Sequence, residues 1–428
     1  MFDKIKKIVL FVVIISFAIS CSDDKATNPE GDTTITPAYN VEYNDNTIIL
    51  KDENDDLILN LDTATNTYTF DGSQFGKDPV AGEVILVEGK LLRKVKSVYR
   101  NGGNLVVETE DAALTDAIKN GEIAWDVTPE WNNATSLKFD GVTVMTLPTE
   151  FTEKIEHTIS YGGIDHKIEI EPKLVDGKVS SCAFTFVMAK KIAGEATAAF
   201  TAKGTVTLPS QSTLIKIKEG KLEEFKSFNK GIKADLELSL SAAGSSSGEH
   251  SIELPGIALS IPIRFIPTPS GPIPLPIPVT IDIGIQFVTK MTVPDVASSA
   301  TASAKCSLTA DGDFEYHGTS VSTKGKFGKD EITDGEFDAA ANIGIPIDVQ
   351  FGVAFPRVGL NIAGQELAYI HTGFTTGSSL AWGPICKSGY VKMVVEGGYE
   401  LKVLGQTLAK NKQVFAEKKK EAKGDNCK

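Results

Sequence analysis

The sequence is poor in the residues that usually announce chemistry. Its 428 residues hold five cysteines, five histidines, five methionines and three tryptophans. The histidines (His157, His166, His250, His317, His371) are scattered and form neither an HExxH nor a His-x-His pair. No Cys-x-x-Cys occurs either, so no metal site and no cofactor are expected. A Gly-rich phosphate loop is missing. Lysine and arginine (43) are outnumbered by aspartate and glutamate (56), for a net charge of −13. An acidic body of this kind argues against a nucleic-acid partner, which needs clustered cations for phosphate. No apolar run reaches the roughly 20 residues that span a bilayer as a helix. Sustained helical periodicity is scarce, while Val, Ile, Thr, Phe and Gly recur, which favours β structure.

What the chain does have is a long alternating stretch, GIALSIPIRFIPTPSGPIPLPIPVTIDIGIQF, from Gly256 to Phe287. Its odd positions are apolar almost without a break, and period two places them on one face of a strand. The cluster Pro267-Thr268-Pro269-Ser270-Gly271-Pro272 supplies turn chemistry between two arms. Folded about Pro269, Phe265 lies opposite Ile273 and Ile257 opposite Ile281. The stretch therefore predicts a β-hairpin with one apolar face. Pro262, Pro274, Pro276 and Pro278 all occupy even positions. They remove N–H donors from one lateral side of each arm, which a strand tolerates at a sheet edge. The Pro-rich arm is thus expected to form an edge near the turn, where proline also blocks edge-to-edge aggregation.

The apolar face has three candidate partners. The first is the second sheet of a sandwich. The second is an apolar ligand or lipid, held against Ile261, Ile263, Phe265, Ile273, Leu275 and Ile277. The third is the bilayer itself, since arms of about 14 residues at roughly 3.3 Å each are long enough for a tilted membrane strand. Proline argues against the last, because backbone within a membrane must be fully hydrogen-bonded.

The N-terminus is the most specific signal. Lys4, Lys6 and Lys7 precede twelve residues, Ile8–Ile19, that are apolar but for one serine, and Ala18-Ile19-Ser20-Cys21 follows on. The run is too short for a spanning helix and reads as a signal-peptide core. It resembles a bacterial lipoprotein signal, with Ala18 and Ser20 departing from the commonest lipobox. Ser22-Asp23-Asp24 resembles the acidic export signal of Bacteroidota surface lipoproteins. The resemblance implies that residues 1–20 are removed, that Cys21 is lipidated, and that the protein is anchored in the outer membrane, facing the cell exterior. Residues 21–40 are then a polar tether. Four cysteines remain as candidate disulfide partners: Cys182, Cys306, Cys386 and Cys427. They allow three connectivities, and Cys386–Cys427 is favoured because it would tie down a charged C-terminus.

Residues 41–131 read as a small β-rich module with one short helix. Strands are expected at Thr47–Leu50, Leu57–Leu61, Thr67–Phe70 and Val84–Val87. A hairpin is expected about Arg100–Asn104. The helix is placed at Asp111–Asn120, capped by Asp111 and ended by Gly121. LLRKVKSVYRNGGNLVVETEDAALTDAI resembles a module of diverse bacterial surface proteins and implies location, not activity. Trp125 and Trp131 are expected to plug the end of this module, with sugar stacking as the alternative. Asn132–Ser136 is the expected domain boundary.

Residues 137–428 read as a large all-β region. The alternating run Ile345–Phe355 is expected to face the hairpin across the core, and the lysine-rich Lys410–Lys428 to be a solvated end. The fold class is mainly β: a sandwich or elongated two-sheet architecture behind the small module.

Two motif fragments fail on inspection. Gly244-Ser245-Ser246-Ser247-Gly248 matches a nucleophile elbow only in letters, since strand-like residues follow where a helix is required, and a hairpin turn is expected there. Asp52-Glu53-Asn54-Asp55-Asp56 lacks the glycine and the closing glutamate of a calcium loop and reads as a solvated turn. The expected function is a non-enzymatic surface lipoprotein engaged in binding or adhesion, with surface glycan or protein as partner. Apolar-ligand handling by the hairpin is the alternative. A polysaccharide hydrolase, which needs only two facing carboxylates, is a third.

Overall fold

A computed structural model describes residues 35–161, 164–191, 197–244, 248–253, 256–293, 298–318, 320–341, 347–381, 386–406 and 411–423. The sequence features at residues 1–34, Cys21 among them, lie outside the described residues, as do Cys427 and the side chain of Cys386. In chain order the first strands are β1 (Ala38–Tyr43), β2 (Thr47–Leu50), β3 (Ile58–Asp62), β4 (Thr67–Asp71), β5 (Val84–Val87), β6 (Leu91–Asn101), β7 (Asn104–Asp111) and β8 (Ile118–Val127), with α1 (Leu114–Ala117) before β8. There follow β9 (Ser136–Phe139), β10 (Val142–Thr146), β11 (Ile155–Tyr161), β12 (Ile164–Val175), β13 (Lys178–Lys191), β14 (Thr197–Thr207), β15 (Ser210–Lys218), β16 (Lys221–Gly244) and β17 (Gly248–Glu253). The hairpin is β18 (Ile257–Ile266) and β19 (Ile273–Val293). Last come β20 (Ser298–His317), β21 (Ser320–Ala341), β22 (Ile347–Ile362), β23 (Gln365–Ala381), β24 (Cys386–Tyr399) and β25 (Asn411–Lys423).

The protein is mainly β, as its alternation dictates. One sheet has ten strands, running β1-β8-β15-β16-β14-β13-β12-β11, with β20 and then β21 along the other edge of β16. A second has nine, running β10-β9-β18-β19-β22-β23-β24-β25, with β17 also on β19. The two pack face to face through their apolar sides. Phe184 of β13 meets Phe355 of β22 edge-on, with ring centroids 5.6 Å apart. A Cβ on Gly204 of β14 would collide with the Phe355 ring, and one on Gly312 of β20 with Ile370 of β23. These glycines let the sheets approach where a large side chain comes across. Near the far edge, the Phe415 ring of β25 lies against Gly397 of β24 and Gly325 of β21.

A six-stranded sheet, β2-β5-β6-β7-β4-β3, carries its own apolar cluster built on Leu57, Phe70, Ile85, Val87, Leu105 and Val107. It is the central part of the stretch expected as a module, and its strands and its turn at Asn101–Asn104, with Gly102 at φ +63°, fall where the sequence put them. Its flanks behave otherwise. β1 and β8 belong to the ten-stranded sheet, where β8 pairs with β15 from Gln211↔Val127 to Ile217↔Gly121. Residues Ile35–Lys428 form one compact unit. The segment 132–136 thus passes from a strand of one large sheet to a strand of the other.

Four local expectations are corrected. The helix is a single turn, Leu114–Ala117, preceded by Ala113, whose N–H donates to Asp116 Oδ2 at 2.9 Å; Asp111 does not cap it and pairs with Arg93. Gly121 lies within β8, where the Asn40 carbonyl of β1 leaves no room for a Cβ. The tether ends early, since Ile35 is buried and β1 begins at Ala38. Within the lysine-rich end, the described residues Asn411–Lys423 form β25, the edge strand of the nine-stranded sheet, with Lys412 and Lys419 exposed as suits an edge. Finally, β22 lies beside the hairpin in the same sheet, not across the core.

Candidate functional site

The hairpin forms, with a register set by packing rather than by the turn. Ile257 pairs with Ile285, Ile261 with Ile281 and Ile263 with Val279. A bulge between Ile263 and Phe265 then shifts the pairing to Phe265↔Pro274 and Ile266↔Ile273. Leu275–Pro278 of β19 pass the single Arg264 of β18 there, and the alternation of β18 flips beyond it. Ile266 is therefore buried, and Phe265 stands 55% exposed. Ile261, Ile263, Leu275 and Ile277 are buried in the main core, and Ile273 is half-buried against it.

The proline edge is where parity put it. β22 begins to pair with β19 only at Val279↔Ile362; of the three prolines Pro274 pairs with Phe265 of β18, and Pro276 and Pro278 lie in the stretch where the β18 register shifts. Their free carbonyls are used: Pro276 accepts from Gly89 N at 2.6 Å, and Pro278 from Ala363 N at 2.8 Å.

On its other side β18 is covered by β9 only as far as Ser260↔Ser136. Beyond that point a cleft of about 680 Å³ opens along its free edge. Ile261, Ile263 and Phe265 line it from the hairpin, Pro129, Glu130 and Leu147 from the facing loops. Ile273, Leu275 and Ile277 do not.

The second concavity, of about 340 Å³, lies on the opposite, outward face of the nine-stranded sheet. Because Thr280, Asp282 and Gly284 occupy the even positions of β19, they point away from the core, as do their cross-strand partners Asn361, Gly359 and Arg357. Ala258 and Gly284 form its floor. A Cβ on Gly284 would strike the Ile257 carbonyl and Ala258, so only glycine fits. Two ion pairs wall the trough. Lys138 reaches from β9 to Asp282 (2.9 Å), whose carboxylate also accepts from Ser260 at 2.7 Å. Arg357 holds Glu366 with two hydrogen bonds of 2.5 and 2.6 Å. The Arg357 guanidinium lies over the Tyr369 ring at 4.4 Å, a cation–π contact, and that ring rests where a Cβ on Gly398 would be. Next along the same face, His371 bonds Glu396 at 3.1 Å, and Lys412 completes the cluster. These bonds hold the Glu396 carboxyl down at about 2, with His371 the larger cause.

None of the trough's polar residues stood out in the sequence. They come from strands far apart in the chain, and only Asp282, a charge in an otherwise apolar arm, marked the outward face.

The remaining candidates are placed as follows. Cys182 and Cys306 are free and buried. β14 and β16 lie between their strands, which sets them about 14 Å apart laterally, twice what a disulfide spans. Burial pushes the Cys182 thiol up strongly and that of Cys306 to about 12, so both behave as apolar filling. Trp125 and Trp131 are fully buried in the main core, so neither offers a sugar platform. Trp125 donates from its indole nitrogen to Gln211, whose amide donates to Thr213 at 2.6 Å. Asp52 is buried and not solvated: it accepts from Leu57 N at 2.9 Å and pairs with Lys90 at 2.9 Å. Gly244 and Gly248 end β16 and begin β17, strands of different sheets, so the segment connects sheets and is no hairpin turn. Among the described residues no group of three His, Cys, Asp or Glu side chains could hold a metal ion.

Comparison with known proteins returns no match: no protein-family model, no curated protein and no solved structure matches this chain.

Proposed function

We propose that this chain is a surface lipoprotein, anchored in the outer membrane through a lipid on Cys21, that acts by binding a surface glycan or protein and not by catalysis. The observation that carries the reading is Cys21 itself, placed directly after a basic and then apolar leader and before an acidic, polar stretch. A rigid β body whose sheet face carries a preformed polar trough supports the binding half. Its charges are neutralised by each other, Lys138 by Asp282 and Arg357 by Glu366. Such pairs suit fixed recognition better than proton transfer, which needs a group free to change its charge.

The test is incorporation of labelled palmitate in a Gram-negative host, with protease added to intact cells. The full chain takes up label and is cut from outside; Cys21→Ala takes up none. An unlabelled parent protein sinks the anchor.

A second reading, binding of an apolar ligand, is favoured by one observation. Ile261, Ile263 and the exposed Phe265 line the cleft at the hairpin tip. Native mass spectrometry discriminates: lipid-sized mass lost in Phe265→Asp supports it, and a bare chain removes it.

A further inference from the structure

The side chain of Asn361 lines the outward trough, and the residue is 8% exposed. A carboxamide in the wall of a trough can exchange water for hydrogen bonds to a ligand. It offers a donor and an acceptor side by side. Around it the groups are fixed in alternation. Arg357 and Lys138 present cationic donors, Asp282 and Glu366 anionic acceptors, each already paired. Beneath lies the flat, small floor of Ala258 and Gly284.

Each alternative ligand class conflicts with one of these features. An anion would meet Asp282 or Glu366 beside each cation, and a cation Lys138 or Arg357 beside each carboxylate, so neither gains a net opposite charge. An apolar ligand would leave Asn361 and the two pairs unsolvated. A neutral polyol suits all of them: each hydroxyl both donates and accepts, vicinal hydroxyls match a carboxamide or a carboxylate–cation pair, and the C–H face of a sugar ring lies on the Ala258–Gly284 floor. The volume, about 340 Å³, is at the small end of ligand pockets and admits a short stretch of chain.

We propose that the trough centred on Asn361, walled by Lys138–Asp282 and Arg357–Glu366 and floored by Ala258 and Gly284, binds a short segment of a neutral polysaccharide. This deepens the binding reading above and does not depend on the lipid anchor, which palmitate labelling tests separately.

The experiment is affinity electrophoresis of the full chain in a polyoxyethylene detergent, which carries no sugar headgroup. The gels contain soluble starch, dextran, mixed-linkage β-glucan, galactomannan or arabinoxylan, with polygalacturonate and heparin as acidic comparators. At least one neutral polysaccharide is expected to retard the protein. Asn361→Ala should weaken that retardation about tenfold, the worth of one bidentate hydrogen-bonded contact. Ala258→Leu, which fills the floor without touching a polar group, should abolish it. Phe265→Ala, at the hairpin cleft, should leave it intact. Thermal melting of each variant checks folding, and the two trough variants fail independently. Retardation that survives both trough variants overturns the proposal, as does no retardation by any neutral polysaccharide. Retardation by the acidic polymers alone also overturns it, while leaving the binding reading standing.

Discussion

Glu396 lies where several charges converge on one sheet face. His371 of β23 bonds it, Lys412 of β25 pairs with it, and Arg357 stands beside His371 across β22–β23. Its carboxyl is held near 2, below the usual value near 4.5. A depressed folded value adds stability that is present above the unfolded value and lost as pH falls toward the folded one. The contribution should therefore be complete at neutral pH and vanish between about pH 4.5 and 2. Partial solvent access limits it to about 1–2 kcal/mol. Glu396→Gln should lower the denaturation midpoint at pH 7, and the two proteins should converge near pH 2. A constant difference across that range would mean the residue acts by packing. In sequence Glu396 is one acid among 56. Its partners come from three strands, so no local pattern identifies it.

At the scale of elements, strand edges govern the design. The proline arm of β19 has no N–H donors on the side where it lends the Pro276 carbonyl to Gly89 of the small sheet. β25 closes the other end with Lys412 and Lys419 exposed. Proline and lysine both discourage a further strand from adding. Replacing Pro274, Pro276 and Pro278 together by threonine restores donors on that side. Concentration-dependent association is then expected in analytical ultracentrifugation at micromolar protein; a strictly monomeric triple variant would show that the Gly89 turn alone protects the edge. This edge was legible because parity is a local property: prolines two apart face one way whatever the sheet does. The register was not. The bulge after Ile263 is imposed by pairing, and it turned Phe265 outward against a simple count from the turn.

For the molecule as a whole, one core is shared. Trp125 and Trp131 come from the first third of the chain and are packed with Phe184, Phe225 and Leu259 from later strands. β8 separates β1 from β15, so removing residues 1–136 strips β15 of a neighbour and leaves a deep apolar void. The fragment 137–428, which composition alone would cut as a domain, should be recovered aggregated on size exclusion. A soluble, cooperatively melting fragment would show that the shared core is dispensable. The six-stranded sheet keeps a separate apolar cluster, but β1 and β8, which the sequence assigned to the same module, belong to the ten-stranded sheet.

The sequence by itself determined the β class, the hairpin, its turn, the face it buries and the proline edge, because alternation and backbone donors act between neighbours. Only the tertiary structure decided which strands share a sheet, where the bulge falls, that two cysteines are separated by strands, and that Lys138, Asp282, Asn361, Arg357 and Glu366 share one face. The reason is range: side chains from four strands meet only after the sheet has assembled, and the pattern within any one strand is silent about its neighbours.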